Sequence, residues 1–322
     1  MAIYRHSEGL PPEARGAVTA VGNFDGVHLG HQAVIAAARD HADRLGAALN
    51  VLTFEPHPRQ IFQPDLPPFR LTPLRIKARA LEAVGVDNMI VLHFDLAFSK
   101  RSAEAFVGEV LRRDLGARHV VTGWDFRFGH KRGGDVVLLE ALGAELGFGT
   151  TAVAPVATPG GEVYASSRIR AYLKDAAPAR AAALLGRPWE IEGRVERGRG
   201  RGRTQGFPTA NVDLGDYLSP AHGIYAVRAG IDAGGETVFA DGVGYFGQEP
   251  VAAGQRPPFE VHVFADPGDL YGRHLRVQLV DYLRADKRFD GPAALKAQIA
   301  EDCRAARRIL EGRDPAAASA AG

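Results

Sequence analysis

The chain has one cysteine, Cys303, among 322 residues, so no disulfide can form within it. It also lacks charge imbalance: 39 Lys and Arg face 38 Asp and Glu, for a formal charge of +1. No global field therefore drives it onto nucleic acid or a membrane surface. No apolar run approaches the ~20 residues that a spanning helix needs. The opening MAIYRHSEG has no apolar core behind a basic segment, so no secretory leader is expected. In the first half of the chain neither G-x-G-x-x-G nor the Walker A lysine pattern occurs, which removes the common dinucleotide and P-loop readings there. These absences together predict a protein of a reducing cytoplasm. Cys303 falls in an amphipathic segment and is expected to be a small buried apolar residue.

What is present divides into two textures. Up to about residue 185, short apolar runs (17–22, 49–54, 89–94, 119–123 and 150–156) alternate with helical patterns near 32–45, 73–84, 103–115 and 134–146. In 103–115, Phe106, Val107, Val110, Leu111 and Leu115 recur at helical spacing behind a capping Ser102. This alternation predicts an α/β domain: a parallel sheet covered on both faces, with ligands at the carboxyl ends of its strands. From 189 to about 285 the text turns to short alternating runs broken by Gly and Pro (WEIEGRV, GIYAVRAGI, TVFADGV, FEVHVF, HLRVQLVDYL), which predicts an antiparallel β-barrel. A last helix follows Pro292, with Leu295, Ile299, Cys303, Ala306 and Leu310 on one stripe, and ends at Gly312. The expected division is 1–184, 185–312 and a small polar tail at 313–322 that should be disordered.

Residues 22–31 read GNFDGVHLGH: Gly22, Asn23, Phe24 and Asp25 form a turn after a strand, and His28 and His31 sit three apart at a helix start. Backbone N–H groups at a helix N-terminus face an anion, and imidazoles at i and i+3 share one face. The string resembles the H-x-G-H signature of the nucleotidyltransferases. Three further strings end strands or open helices: TFEPHP (53–58, with Phe54 and His57), GWDFRFG (123–129, with Asp125 and Arg127) and ASSRIR (165–170, with Ser166, Ser167 and Arg170). Taken alone, the two serines are helix caps or phosphate ligands. In this order the four strings resemble the adenylyltransferase half of the prokaryotic bifunctional riboflavin kinase/FAD synthetases. Two positions of the last string depart: Ala165 stands where that pattern has Ser, and Ser167 replaces its Thr.

The resemblance implies attack of the FMN phosphate on the α-phosphorus of ATP, giving FAD and pyrophosphate. His28 and His31 would be catalytic, Gly22 to Asp25 with Ser166, Ser167 and Arg170 would bind ATP, and Phe54, His57, Asp125 and Arg127 would face the flavin. Asp125 could equally order a Mg²⁺ ion, which polyphosphate chemistry requires.

Residues 195–211 read VERGRGRGRTQGFPTAN. By composition GRGRGR is a basic linker or an RNA-binding segment. It passes directly into Gly206-Phe207-Pro208-Thr209-Ala210-Asn211, where closely spaced glycines such as Gly202 and Gly206 let backbone approach a phosphate. Thr209 and Asn211, at i and i+2, offer neutral oxygens to one side, which suits Mg²⁺. G-F-P-T-A-N resembles the riboflavin kinase signature of the same bifunctional family, as do FEVHVF (259–264), DLYGR (269–273) and residues 284–307. By that resemblance Gly202, Gly206 and Pro208 contact ATP, Thr209 and Asn211 hold Mg²⁺, and Glu260 is the base on the riboflavin 5′-hydroxyl. One stretch departs: Tyr245 to Val251 stands where the family has N-I-G-x-R-P-T, which places Glu249 at an Arg position.

The expectation is a two-domain enzyme that makes FMN and FAD from riboflavin and ATP. Its expected partners are these small molecules and, weakly, a second copy of the chain, with neither nucleic acid nor membrane. Three rivals stand beside it. One is a monofunctional FAD synthetase with a degraded, flavin-binding kinase domain. The second is a nonenzymatic flavin sensor or RNA-binding regulator, and the third is a cytidylyltransferase.

Overall fold

The computed structural model describes residues 1–196, 206–234, 236–247, 256–265 and 268–312. It divides into two compact units, Met1–Pro67 with Pro73–Ala165 and Pro68–Thr72 with Ser166–Gly322.

The first unit is a six-stranded parallel sheet with helices between its strands. Its elements are β1 (Ala2–Tyr4), β2 (Val18–Val21), α1 (Leu29–Leu45), β3 (Leu49–Glu55), α2 (Pro58–Phe62), α3 (Leu74–Ala83), β4 (Asn88–His93), α4 (Ala103–Ala105), β5 (His119–Gly123), α5 (Val136–Leu146) and β6 (Gly149–Val153). Helix α4 continues as a wider-wound turn over Phe106–Asp114, where the Leu115 N–H reaches back five residues to the Val110 carbonyl. The five helical-spaced residues expected over 103–115 are all buried, and Ser102 caps the start. The central strands β2, β3 and β4 are mostly apolar and buried because both faces of the sheet are covered there. Successive residues go to opposite cores: Val18, Ala20 and Val121 join one, and Val21 and Val120 join the other.

Strand order is β1-β4-β3-β2-β5-β6. The chain runs outward from β2 to β3 and β4, then returns to β5 on the other side of β2. The switch point therefore lies past the carboxyl ends of β2 and β5, where such sheets bind ligands. GNFDGVHLGH leaves β2 there and GWDFRFG leaves β5. The sequence reading missed the short edge strand β1, whose three residues pair with Asn88, Met89 and Ile90.

The second unit holds α6 (Ser166–Lys174), α7 (Pro178–Leu185), β7 (Trp189–Glu196), β8 (Ala210–Val212), β9 (Gly223–Ile231), β10 (Ala240–Phe246), β11 (Phe259–Val263), β12 (His274–Arg284) and α8 (Pro292–Glu311). The six strands close into an antiparallel barrel in the order β10-β11-β8-β7-β12-β9. β11 alternates as a barrel strand must: Phe259, Val261 and Val263 are buried, while Glu260 and His262 lie on the other face. α8 covers one outer side, packing Cys303, Ala306 and Leu310 on Ile224, Ala226, Val243 and Val280. A bidentate pair anchors it, Arg284 Nε to Asp302 Oδ1 at 2.8 Å and Nη2 to Oδ2 at 2.6 Å.

Two boundaries differ from the sequence reading. Strand β10 begins at Ala240 rather than at Thr237. Helices α6 and α7 group with the barrel rather than with the parallel sheet, because Ala181, Leu184 and Leu185 are buried against it. The expected disordered tail at 313–322 lies outside the described residues.

Candidate active site

In the first unit the turn after β2 is tightly determined. Asp25 and His28 are 2% and 5% exposed, and Phe24 and Val27 hold φ of +48° and +44°. Left-handed backbone at bulky residues persists only where the surroundings over-determine it, and it concentrates at ligand sites. His28 is the N-cap of α1: its Nδ1 accepts from the His31 backbone N–H at 3.3 Å. With Nδ1 accepting, the neutral ring carries its hydrogen on Nε2 and presents a donor. The His28 and His31 rings stack at 3.6 Å and 20°, and Phe24 meets the His31 ring edge-on at 5.3 Å. Gly30 favours this packing: a Cβ there would sit 3.1 Å from the His28 ring and 3.2 Å from the Tyr164 Cβ, and both would have to give by a few tenths of an ångström. The helix begins at Leu29 rather than near Gln32, which puts both histidines in its first turn, at the positive end of its dipole.

His57 repeats the arrangement on α2. Its Nδ1 accepts from the Arg59 N–H at 3.1 Å, and the Gln60 side chain accepts from the His57 N–H. This is a capping box. Phe54, next to last in β3, belongs to an aromatic cluster with Phe94, Phe98 and Phe106, and Phe62 extends it from α2 with 59% exposure. Beside these rings lies an open groove of about 480 Å³ lined by Gln60, Ile61, Pro64, Asp95, Leu96 and Ala97. The sequence reading named Phe54 and missed Phe62, Phe94 and Phe98. Phe62 ends α2, whereas Phe94 and Phe98 follow β4 four residues apart, and none of the recognised strings includes them. Asp125 is exposed beyond β5, whereas Arg127 is held at 3.0 Å by Asp135, the N-cap of α5. That same capping bond, from the Leu138 N–H, lowers the Asp135 carboxyl below its usual range.

In the second unit, Ser166 and Ser167 open α6, and Arg170 donates from Nε to the Phe69 carbonyl at 2.9 Å with its guanidinium over the Phe69 ring. Glu260 sits directly opposite Asn211 on β8 and Tyr245 on β10. Cross-strand partners in such a ladder are ~5 Å apart on one face, so an acid and an amide share a surface. The segment that carries Thr209 is pinned by a residue the sequence reading passed over. His262 Nδ1 bonds to the Pro208 carbonyl at 2.8 Å, and Phe207 packs edge-on against its ring. Gly206 takes φ +86°, where a side chain would be strained. Gly202 and residues 248–251, including Glu249, lie outside the described residues. Of the departing stretch, Tyr245 donates from its hydroxyl to Asp286 Oδ2 at 2.9 Å.

Among the described residues no group of three His, Cys, Asp or Glu is placed to hold a metal. No helix there is long and apolar enough to cross a membrane.

The comparisons with known proteins divide the chain in the same order as its motifs. The family model for FAD synthetase matches residues 10–168, and the one for riboflavin kinase matches 185–310. The bifunctional riboflavin kinase/FMN adenylyltransferase of Escherichia coli strain K12 is 40% identical over 97% of this chain and 98% of its own. The proteins so described from Pseudomonas fluorescens and Bacillus subtilis strain 168 are 40% and 35% identical, over 96% and 91% of this chain and 98% and 92% of theirs. A solved structure from Streptococcus pneumoniae, described as a macrolide-efflux protein, shares the fold at TM-score 0.82 and 28% identity, covering 94% of this chain and 97% of that one. The chain belongs to the family of bifunctional riboflavin kinase/FMN adenylyltransferases.

Proposed function

We propose that this chain carries out both reactions of its family: phosphorylation of riboflavin to FMN in the barrel, and adenylylation of FMN to FAD at the parallel sheet. The functional domains of this reading are 1–184 and 185–312. The observation that carries it is that the central motif of each reaction sits in a different unit, with Ser166, Ser167 and Arg170 of the fourth string belonging to the second. The stacked His28–His31 pair caps α1 at the switch point of the sheet, and Glu260 faces Asn211 across β8 and β11.

In adenylyl transfer an FMN phosphate oxygen attacks the α-phosphorus of ATP. A new P–O bond forms, the bond to the β-phosphate oxygen breaks, and pyrophosphate leaves. The nucleophile is already anionic, so the site needs positioning and charge neutralisation rather than a strong base. His28 and His31 donate to the phosphate oxygens, and the first N–H groups of α1, together with the Gly22–Asp25 turn, cradle them. Ser166, Ser167 and Arg170 hold the polyphosphate. Phe54, His57, Asp125 and Arg127 face the flavin, with Phe62 and the groove beside it offering an apolar platform for a tricyclic ring.

In the kinase reaction the riboflavin 5′-hydroxyl attacks the γ-phosphorus of ATP and ADP leaves. An alcohol needs a positioned base, and Glu260 takes that proton. Gly206 and Pro208 would lie along the ATP phosphates. Thr209 and Asn211 would hold Mg²⁺ through neutral oxygens. Mg²⁺ keeps several waters and takes few protein ligands, which neutral oxygens at i and i+2 would supply. Bound there, Mg²⁺ neutralises polyphosphate charge. The single cysteine fits a cytoplasmic enzyme. The test is incubation with riboflavin and Mg-ATP, with riboflavin, FMN and FAD separated by chromatography. Appearance of FMN and then FAD supports the reading. FAD from added FMN with no FMN from riboflavin would leave the monofunctional alternative.

A further inference from the structure

Lys77, on α3, is fully buried. Lysine is almost never found so unless it is paired, and its partners are informative. Nζ lies 3.0 Å from Glu55 Oε1 and 3.3 Å from Thr53 Oγ1, both at the carboxyl end of β3. An ammonium only donates, so the Thr53 hydroxyl accepts from it. The one hydroxyl hydrogen then goes to the Asn23 carbonyl, 3.2 Å away. A directed chain thus runs from Lys77 through Thr53 to Asn23. It ends in the turn whose Phe24 and Val27 are left-handed and whose exit is the His28 cap.

Stability alone does not call for an ion pair here. A buried pair replaced by apolar side chains of the same shape is often neutral or stabilising. What an apolar pair could not do is orient a hydroxyl onto a carbonyl in a turn that must hold an improbable backbone. We propose that Lys77 is a positioning residue for adenylyl transfer: through Thr53 its buried ammonium fixes the Asn23 carbonyl, and so the turn that presents the start of α1 to nucleotide phosphate. The proposal rests on the adenylyl-transfer reading of that site. Glu55 compensates the charge and keeps the ammonium from being drawn to the ligand.

The test uses the full chain with Lys77→Met, Thr53→Val, the pair together, and Thr53→Ser. For each, kcat and KM are measured for FAD formation from FMN and ATP, with riboflavin phosphorylation and the thermal midpoint followed on the same samples. Lys77→Met and Thr53→Val should each lower kcat roughly tenfold, the worth of one oriented hydrogen bond, with KM for ATP within about twofold. The double variant should be no worse than either single one, because both cut the same chain. Thr53→Ser should restore the rate, and riboflavin phosphorylation should stay at the parental level throughout.

Parental kcat in Thr53→Val, losses that multiply in the double variant, or no rescue by serine would each overturn the proposal. So would losses that merely track a lowered melting point. If Lys77→Met does not fold, the Thr53 pair decides. A parent chain that makes no FAD overturns the functional reading and this proposal together, whereas a failure confined to the variants overturns this proposal alone.

Discussion

Truncating His28 removes two separable things. The ring caps α1 through its 3.3 Å bond from the His31 N–H, and it stacks on His31 at 3.6 Å. Losing a helix cap costs about 1 kcal/mol of stability. Losing a donor aimed at developing charge costs far more in rate, on the order of 10²–10³, or about 2.7–4 kcal/mol of transition-state stabilisation. His28→Ala should therefore nearly abolish FAD formation from FMN and lower the melting point modestly. His28→Asn separates the two effects. Asparagine is among the best N-caps, so stability should return, but its short amide cannot reach where the imidazole Nε2 stands, so the rate should not. The assay is chromatographic FAD formation beside thermal melting, with riboflavin phosphorylation as the internal control for folded enzyme. His28→Asn working at the parental rate would refute the reasoning. So would equal loss of both activities in His28→Ala.

A pH effect is expected from the far end of the same sheet. His119 stacks on His41 at 3.7 Å and bonds to Thr151 Oγ1 at 2.8 Å; burial, His41 and Arg44 push it down to about 4. A histidine depressed in the folded state binds fewer protons than in the unfolded chain between about 4 and its ordinary 6.5. Stability should therefore fall as pH drops through that window. Denaturant unfolding at several pH values should show the slope flattened in His119→Phe, and an unchanged slope would count against it. The grouping of α7 with the barrel makes a second prediction. A fragment of residues 166–322 should melt cooperatively and exceed 186–322 in stability by about 3 kcal/mol or more, because Leu184 and Leu185 are each 1% exposed and burying one leucine is worth ~1.5–3 kcal/mol. Equal stability of the two fragments would contradict it.

Much of this was legible in the residues because the local strings carry their own geometry. GNFDGVHLGH contains the turn glycines, the cap and the stacked pair within ten positions, and β11 shows its register in the alternation of FEVHV. The carboxyl ends of apolar runs marked where the motif strings leave a parallel sheet, the end at which such sheets bind ligands. What stayed hidden depends on contacts between distant positions. Lys77 reads as an ordinary helical lysine until α3 packs it onto the end of β3, 24 residues before it. His262 looks like an outward strand residue until Pro208, 54 positions away, supplies its carbonyl. Strand β1 was missed because three residues at an edge give too short a pattern, and α7 because its apolar face is spent on the barrel rather than on the sheet before it.

The central claim is that one chain holds two separate transfer sites, and it is tested most directly by paired variants in a single assay. The parent, His28→Ala and Glu260→Gln are each given riboflavin with Mg-ATP, and separately FMN with Mg-ATP. The parent should make FMN and FAD. His28→Ala should make FMN from riboflavin and no FAD, and Glu260→Gln should make FAD from FMN and no FMN from riboflavin. Loss of both activities in either variant, or FMN formation that survives in Glu260→Gln, would contradict the account.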